Sequence, residues 1–196
     1  MIGSNKYEDI IKQKIEKELS ELGSSFESEI SEDENKEDEI DVSNNIVKIS
    51  NSISEILNEL VMNNSLKKDN KQKEDIFDTN QIPNINLFDY IIRIISYSNC
   101  EENTLISALI YIDRIAKVKK ITKLNVYKLL FTSILISLKY NEDEIYGNDY
   151  YSQIAGVSNV ELSKMEYEYV ILLNFNLYIN DEIFNQYKSA LERLQI

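Results

Sequence analysis

The stretch Val126–Tyr140, VYKLLFTSILISLKY, most constrains what this chain can fold into. Val126, Leu129, Leu130, Phe131, Ile134, Leu135, Ile136 and Leu138 run round the whole circumference of a helix and do not keep to one stripe. A helix that is apolar all round is one that other elements bury on every side. Thr132, Ser133 and Ser137 are small or hydroxylated, which fits close approach of neighbouring helices. The stretch is too short and too interrupted to span a bilayer, which takes about 20 apolar residues. It predicts the central helix of an all-α domain. Lys139 stands in its last turn, ahead of the acidic run Glu142, Asp143 and Glu144.

Helical patterns surround that stretch. Tyr7–Leu22 spaces Ile10, Ile11, Ile15 and Leu19 among Lys and Glu residues, as in a solvated amphipathic helix. Ser24–Asn45 is a serine-flecked acid run with little apolar surface to bury, and is expected to be disordered. Ile46–Met62 carries Ile46, Ile49, Ile53, Ile56, Leu57 and Leu60 at a period near 3.6. Ser65–Asn80 is polar and lysine-rich and reads as a linker, and Pro83, the only proline, follows it. Helices are then expected over Leu87–Tyr97, Glu102–Lys117, the central stretch with Thr122 as its N-cap, Tyr150–Ala155, Asn159–Asn174 and Asp181–Leu194. Gly156 closes the fourth of these, and Ser158-Asn159-Val160-Glu161 reads as a capping box opening the fifth. Five helices joined by short polar turns make an all-α domain. The expected division is an acidic arm over 1–45 and a domain over 46–196, with its core at about 84–178.

Composition narrows the chemistry. The net charge is −13, and residues 1–80 hold 10 Lys+Arg against 20 Asp+Glu. The remaining 11 basic and 14 acidic residues leave residues 81–196 at −3, with no basic face for a phosphate backbone. No nucleic acid and no membrane is expected as a partner. There is no histidine, one cysteine (Cys100), and no glycine-rich phosphate loop. A zinc site and a Cys/His catalytic pair are excluded, and neither a cofactor, a metal nor an enzyme activity is expected. A single thiol and the lack of an apolar leader in MIGSNKYEDIIKQKIEKELS predict an intracellular protein, nuclear or cytoplasmic.

Four charges do not follow the apolar periodicity. Glu166 lies beside the stripe Leu162, Met165, Tyr169, Val170 and Leu173, with no cation three or four residues away. It is either an edge-of-core carboxylate reaching solvent or one that meets a partner from elsewhere. Lys139 is either a cation stabilising a helix C-terminus or a contact residue. Arg93 interrupts IIRII and Asp113 interrupts ALIYIDRIA. Each has an i,i+4 partner, Asp89 and Lys117 respectively, and the alternative is an Arg93–Asp113 bridge between two helices.

Several of these segments together resemble the cyclin box. They are Tyr111–Arg114 (YIDR), Lys139–Tyr140, Asn148–Ser158 (NDYYSQIAGVS) and the L-x-x-M-E segment Leu162–Glu166. Their order and spacing are similar to the P/U-type cyclins, the group of the yeast phosphate-pathway and plant U-type cyclins, from about Ile46 to the C-terminus. The resemblance implies a five-helix box around a buried third helix, preceded by one helix at Ile46–Met62. It implies a non-catalytic subunit that forms a heterodimer with a cyclin-dependent protein kinase and activates it. An active kinase pairs its β3 lysine with a glutamate on its αC helix. A partner that binds only that state shifts the equilibrium toward it. The family's kinase contacts fall on Lys139 and Glu166, with Tyr140, Val170 and Leu177 as apolar contacts around them. Its structural bridge falls on Arg93 and Asp113. The alternative is a cyclin-fold adaptor that activates no kinase. Ala155 stands where close relatives often carry glycine, and the first box helix lacks the M-R-A-I-L pattern of mitotic cyclins, so their substrate-docking patch is not expected.

Overall fold

The structure, a computed structural model, describes residues 36–66, 75–98 and 100–194, with side chains from residue 44 onward. The expected helix at Tyr7–Leu22 and the acid run before Lys36 lie outside these residues. Contacts divide the chain into two units, Met1–Asp38 and Glu39–Ile196, and apart from the helical residues 36–38 all that follows concerns the second.

The described residues form helices and no strand: α1 Lys36–Ser65, α2 Leu87–Ser98, α3 Glu102–Ala116, α4 Val126–Asn141, α5 Asn148–Ala155, α6 Asn159–Leu172 and α7 Asp181–Leu194. Every position of α4 from Leu129 to Leu138 is buried, as its all-round apolar pattern requires. α3, α5 and α6 pack against it, and α7 packs on α3. The hydroxyls of α4 allow that packing. Ser133 donates to the carbonyl of Ala108 at 2.6 Å and Ser137 to that of Thr104 at 2.9 Å. Both hydroxyls are therefore satisfied where α3 and α4 approach. No described helix is long and apolar enough to cross a membrane.

α1 buries Ile49, Ile53, Leu57 and Val61, with Ile46, Ile56 and Leu60 half-buried beside them. It begins at Lys36, so residues 36–45, expected to be unstructured, are helical. Once the apolar stripe anchors a helix, extension costs little through good formers such as Lys and Glu. Asn45 then donates to Glu102 at 2.7 Å and ties this turn to α3.

The segment read as a linker is also partly core. Phe77 is 1% exposed and meets Tyr169 edge to face, ring centroids 6.1 Å apart. Lys128 donates to the carbonyls of Ile76 (2.9 Å) and Asp78 (3.2 Å), and Thr79 bonds Leu124 through its backbone and hydroxyl. One aromatic in a polar stretch gives no periodic signal, so this strap is not legible in the sequence.

The helix starts carry the expected chemistry with two differences. Ser158 accepts from the Glu161 backbone at 3.1 Å, but the Glu161 carboxylate turns to Lys128 at 2.9 Å, so the capping box is half formed. α4 starts after Asn125, not at Thr122. The Asn125 side chain accepts from the Thr122 backbone at 2.8 Å and closes the turn that feeds the helix. Gly156 ends α5 at φ 70°, the left-handed region where glycine is favoured.

Candidate functional site

The last turn of α4, the first residue of α5 and the middle of α6 meet at one point. Lys139 Nζ lies 2.5 Å from Glu166 Oε1 and 2.5 Å from Asn148 Oδ1. Asn148 Nδ2 donates in turn to Glu166 Oε2. Two of the four charges that periodicity left unexplained are thus each other's partners, joined through an asparagine. The side chains are 28% and 14% exposed, so the pair sits at the rim and is neither in the core nor free in solvent. α5 links α4 to α6, and its short length brings its first residue to both charges.

Apolar side chains lie next to the pair along α4 and α6. Tyr140 is 50% exposed, and Val170 lies one turn beyond Glu166, half-buried. Leu177 is half-buried and lines, with Tyr140, Tyr111, Tyr178 and Phe184, a groove of about 470 Å³. Glu101, Glu142 and Asp181 lie along its edge.

The segment beyond α6 is fixed from α3. Tyr111 donates its hydroxyl to the Leu177 carbonyl at 2.8 Å. Arg114 donates to the carbonyls of Asn176 at 2.6 Å and Tyr178 at 3.1 Å. Burial pushes the Tyr111 hydroxyl up to about 12, so it stays a proton donor at neutral pH. The turn itself runs through two left-handed residues, Asn174 (φ 51°) and Phe175 (φ 57°). Asparagine tolerates such a conformation and phenylalanine does not, so the strain falls on Phe175, which is 72% exposed. Sequence reasoning missed Phe175 and Tyr178, and met Asn148 only as the head of the family segment Asn148–Ser158. It saw Tyr111 and Arg114 only as family markers, because their partners are backbone carbonyls, which leave no mark in a sequence.

The expected Arg93–Asp113 bridge is not formed. Asp113 pairs with Lys117 on its own helix at 3.0 Å, and its charge acts on the hydroxyl of Tyr187 of α7. Arg93 is exposed, and its charge acts on the hydroxyl of Tyr90. The phase of each helix decides this: Asp113 lies on the side of α3 that α7 covers, and Arg93 on the outer side of α2. Cys100 is buried, and burial holds its thiol well above the ordinary range, with Glu142 and Glu101 adding to that. A thiol so placed is unreactive.

Comparison with known proteins identifies the family. The sequence profile of the cyclin family matches residues 11–177. Cyclin-U2-2 of Arabidopsis thaliana is 36% identical over 124 residues, covering 62% of this chain and 54% of the relative. Cyclin-U1-1 of the same plant is 33% identical over 148 residues, 72% of this chain and 70% of the relative. Cyclin-P3-1 of Oryza sativa subsp. japonica is 32% identical over 135 residues, 67% and 57% respectively. The match to the first of these spans about half of that relative's length. The chain belongs to the cyclin family, and within it to the P/U-type cyclins.

Proposed function

We propose that this chain is the regulatory subunit of a cyclin-dependent protein kinase, which it binds as a heterodimer and activates. The observation that carries the reading is the Lys139–Asn148–Glu166 cluster, a partly exposed ion pair with Tyr140 next to Lys139 in sequence and Val170 one turn beyond Glu166. Charged groups of this kind fix the register and specificity of an interface, while neighbouring aromatic and apolar side chains supply most of its affinity. The cluster keeps unused hydrogen-bonding capacity, because the ammonium has three donors and two are taken here. A kinase segment offering an acceptor to Lys139 and a donor to Glu166 would fit it.

Activation then follows from differential affinity. If the surface fits only the kinase conformation that pairs its β3 lysine with the αC glutamate, binding draws the kinase into that state. The modest charge of residues 81–196 supports a protein partner over a nucleic acid.

The test is recovery of proteins bound to the tagged full chain from its own cells, with identification by mass spectrometry. A protein kinase recovered in stoichiometric amount, and active on a generic substrate only with the chain present, is the expected result. Recovery of other proteins without a kinase would favour the adaptor reading. A kinase that binds but is no more active in the pair would leave binding and remove activation.

A further inference from the structure

Asn148 is placed to do more than begin a helix. Its predecessor Gly147 is the N-cap of α5, and the first backbone bonds of the helix run to the Gly147 carbonyl from Tyr150 (3.1 Å) and Tyr151 (3.3 Å). No side chain caps this helix, so the Asn148 amide is not needed there. It turns instead to the ion pair, with Oδ1 toward Lys139 and Nδ2 toward Glu166. The orientation is forced, because an ammonium can only donate and a carboxylate can only accept.

We propose that Asn148 is a positioning residue that sets the Lys139–Glu166 pair in the one arrangement a binding partner meets. This rests on the reading of that pair as the kinase contact. The amide carries an acceptor and a donor a fixed distance apart in one plane, and it divides the carboxylate between two donors. Glu166 gives Oε1 to Lys139 and Oε2 to Asn148. Without the amide, the ammonium could swing between both oxygens, and the long lysine stem could leave the site altogether. With it, the third ammonium hydrogen and the remaining carboxylate lone pairs keep one direction. Ordering a surface before binding removes that cost from the binding step.

Side-chain chemistry singles out asparagine. Aspartate would put a second carboxylate beside Glu166 and remove the donor. Alanine would leave the ion pair intact but free to move. Ser163 lies 3.4 Å from Asn148 Nδ2 and supplies a further, longer contact that steadies the amide.

The experiment measures the affinity of the full chain for the kinase recovered with it. The variants are Asn148→Ala, Asn148→Asp, the pair Lys139→Met/Glu166→Gln, and that pair combined with Asn148→Ala. Asn148→Ala is expected to weaken binding about tenfold, as when the competent fraction falls to about one tenth. Asn148→Asp, nearly isosteric, should weaken it at least as much. Both should melt near wild type by circular dichroism. In the Lys139→Met/Glu166→Gln background, adding Asn148→Ala should change affinity by less than about twofold, since nothing is left to position.

Normal binding by Asn148→Ala would overturn the proposal, as would an equal loss in both backgrounds, which would mark a structural role for α5. If Asn148→Ala fails to fold, Asn148→Asp decides, and its normal binding overturns the proposal as well. Normal binding by Lys139→Met/Glu166→Gln would remove the kinase reading of the pair, and this proposal with it. Loss in that variant but not in Asn148→Ala would remove this proposal alone.

Discussion

The Tyr111 hydroxyl reaches from the middle of α3 to the carbonyl of Leu177 across 2.8 Å, and so fixes a residue of the candidate surface from inside the domain. Arg114, one turn on, holds the carbonyls on either side of Leu177, at Asn176 and Tyr178. The chain after α6 therefore follows α3, and the groove beside Tyr140 has its far wall because of these two residues. Tyr111→Phe removes one buried hydrogen bond and should cost about 1 kcal/mol of stability. Arg114→Met removes two bonds from a charged donor near the surface and should cost about 1–2 kcal/mol. Both variants should also bind the kinase more weakly, because Leu177 is released. Urea melts beside binding curves check this, and unchanged binding would show that the segment 176–178 is no part of the interface.

The pairing of Asp113 with Lys117 changes what its removal should do. A buried inter-helix bridge would cost several kcal/mol to break. Here the Asp113 and Lys117 side chains are 45% and 69% exposed, and exposed pairs contribute little. Asp113→Ala should cost no more than about 1 kcal/mol. Combined with Arg93→Met, the effects should add to within about 0.5 kcal/mol. A measured coupling well above that would mean that the two residues meet after all.

Phe77 supplies a test of the strap before α2. It is 1% exposed and packs its ring against Tyr169, itself fully buried on α6. Phe77→Ala should cost about 3–5 kcal/mol by leaving a cavity under the strap. A loss below about 1 kcal/mol would show that residues 75–79 close over the gap or contribute little.

Legibility followed periodicity. The central helix could be read because its apolar residues leave no exposed face. Lys139 and Glu166 could be singled out because neither fits its helix's pattern, although the pattern could not show that they meet each other. Asn148 could not be found this way: an asparagine at the head of a short helix reads as ordinary turn chemistry. Arg93 and Asp113 look alike in sequence, each a charge inside an apolar run. Only the rotation of α2 and α3 about their axes shows that they face different neighbours. The strap at Phe77 and the grip of Tyr111 and Arg114 depend on single residues and backbone carbonyls, for which no pattern exists.

Buried phenols make the fold sensitive to alkali. Burial pushes Tyr111 and Tyr187 up to about 12, and Tyr90 and Tyr169 higher still. Their ordinary value is 10.0, so from there upward the unfolded chain sheds protons that the folded chain keeps. The unfolded state then binds fewer protons, and stability falls as pH rises through this window. Below it the contribution of the neutral phenols is complete. Urea midpoints should decline from about pH 10 to about pH 12, with tyrosinate absorbance appearing late and together with unfolding. Tyrosinate appearing early, ahead of unfolding, would contradict the burial of these rings.

The geometry of Lys139, Asn148 and Glu166 makes charge reversal a sharp test of the surface. Lys139→Glu alone sets two carboxylates against each other at a site only partly open to water, and Glu166→Lys alone sets two ammonium groups there. Each should destabilise the domain by about 1–3 kcal/mol. The double variant restores opposite charges, and the Asn148 amide can turn over to meet them. It would then donate to the carboxylate now on α4 and accept from the ammonium now on α6. Melting of the double variant should return close to wild type. A partner, however, meets each charge with the wrong sign, and its affinity should fall at least about a hundredfold, or about 2.7 kcal/mol. Kinase activity of the reconstituted pair should fall with it. A double variant that folds, binds and activates normally would place the kinase on another face. A double variant no more stable than the singles would mean that the pair is held by contacts that its swap does not restore, and that its first role is structural.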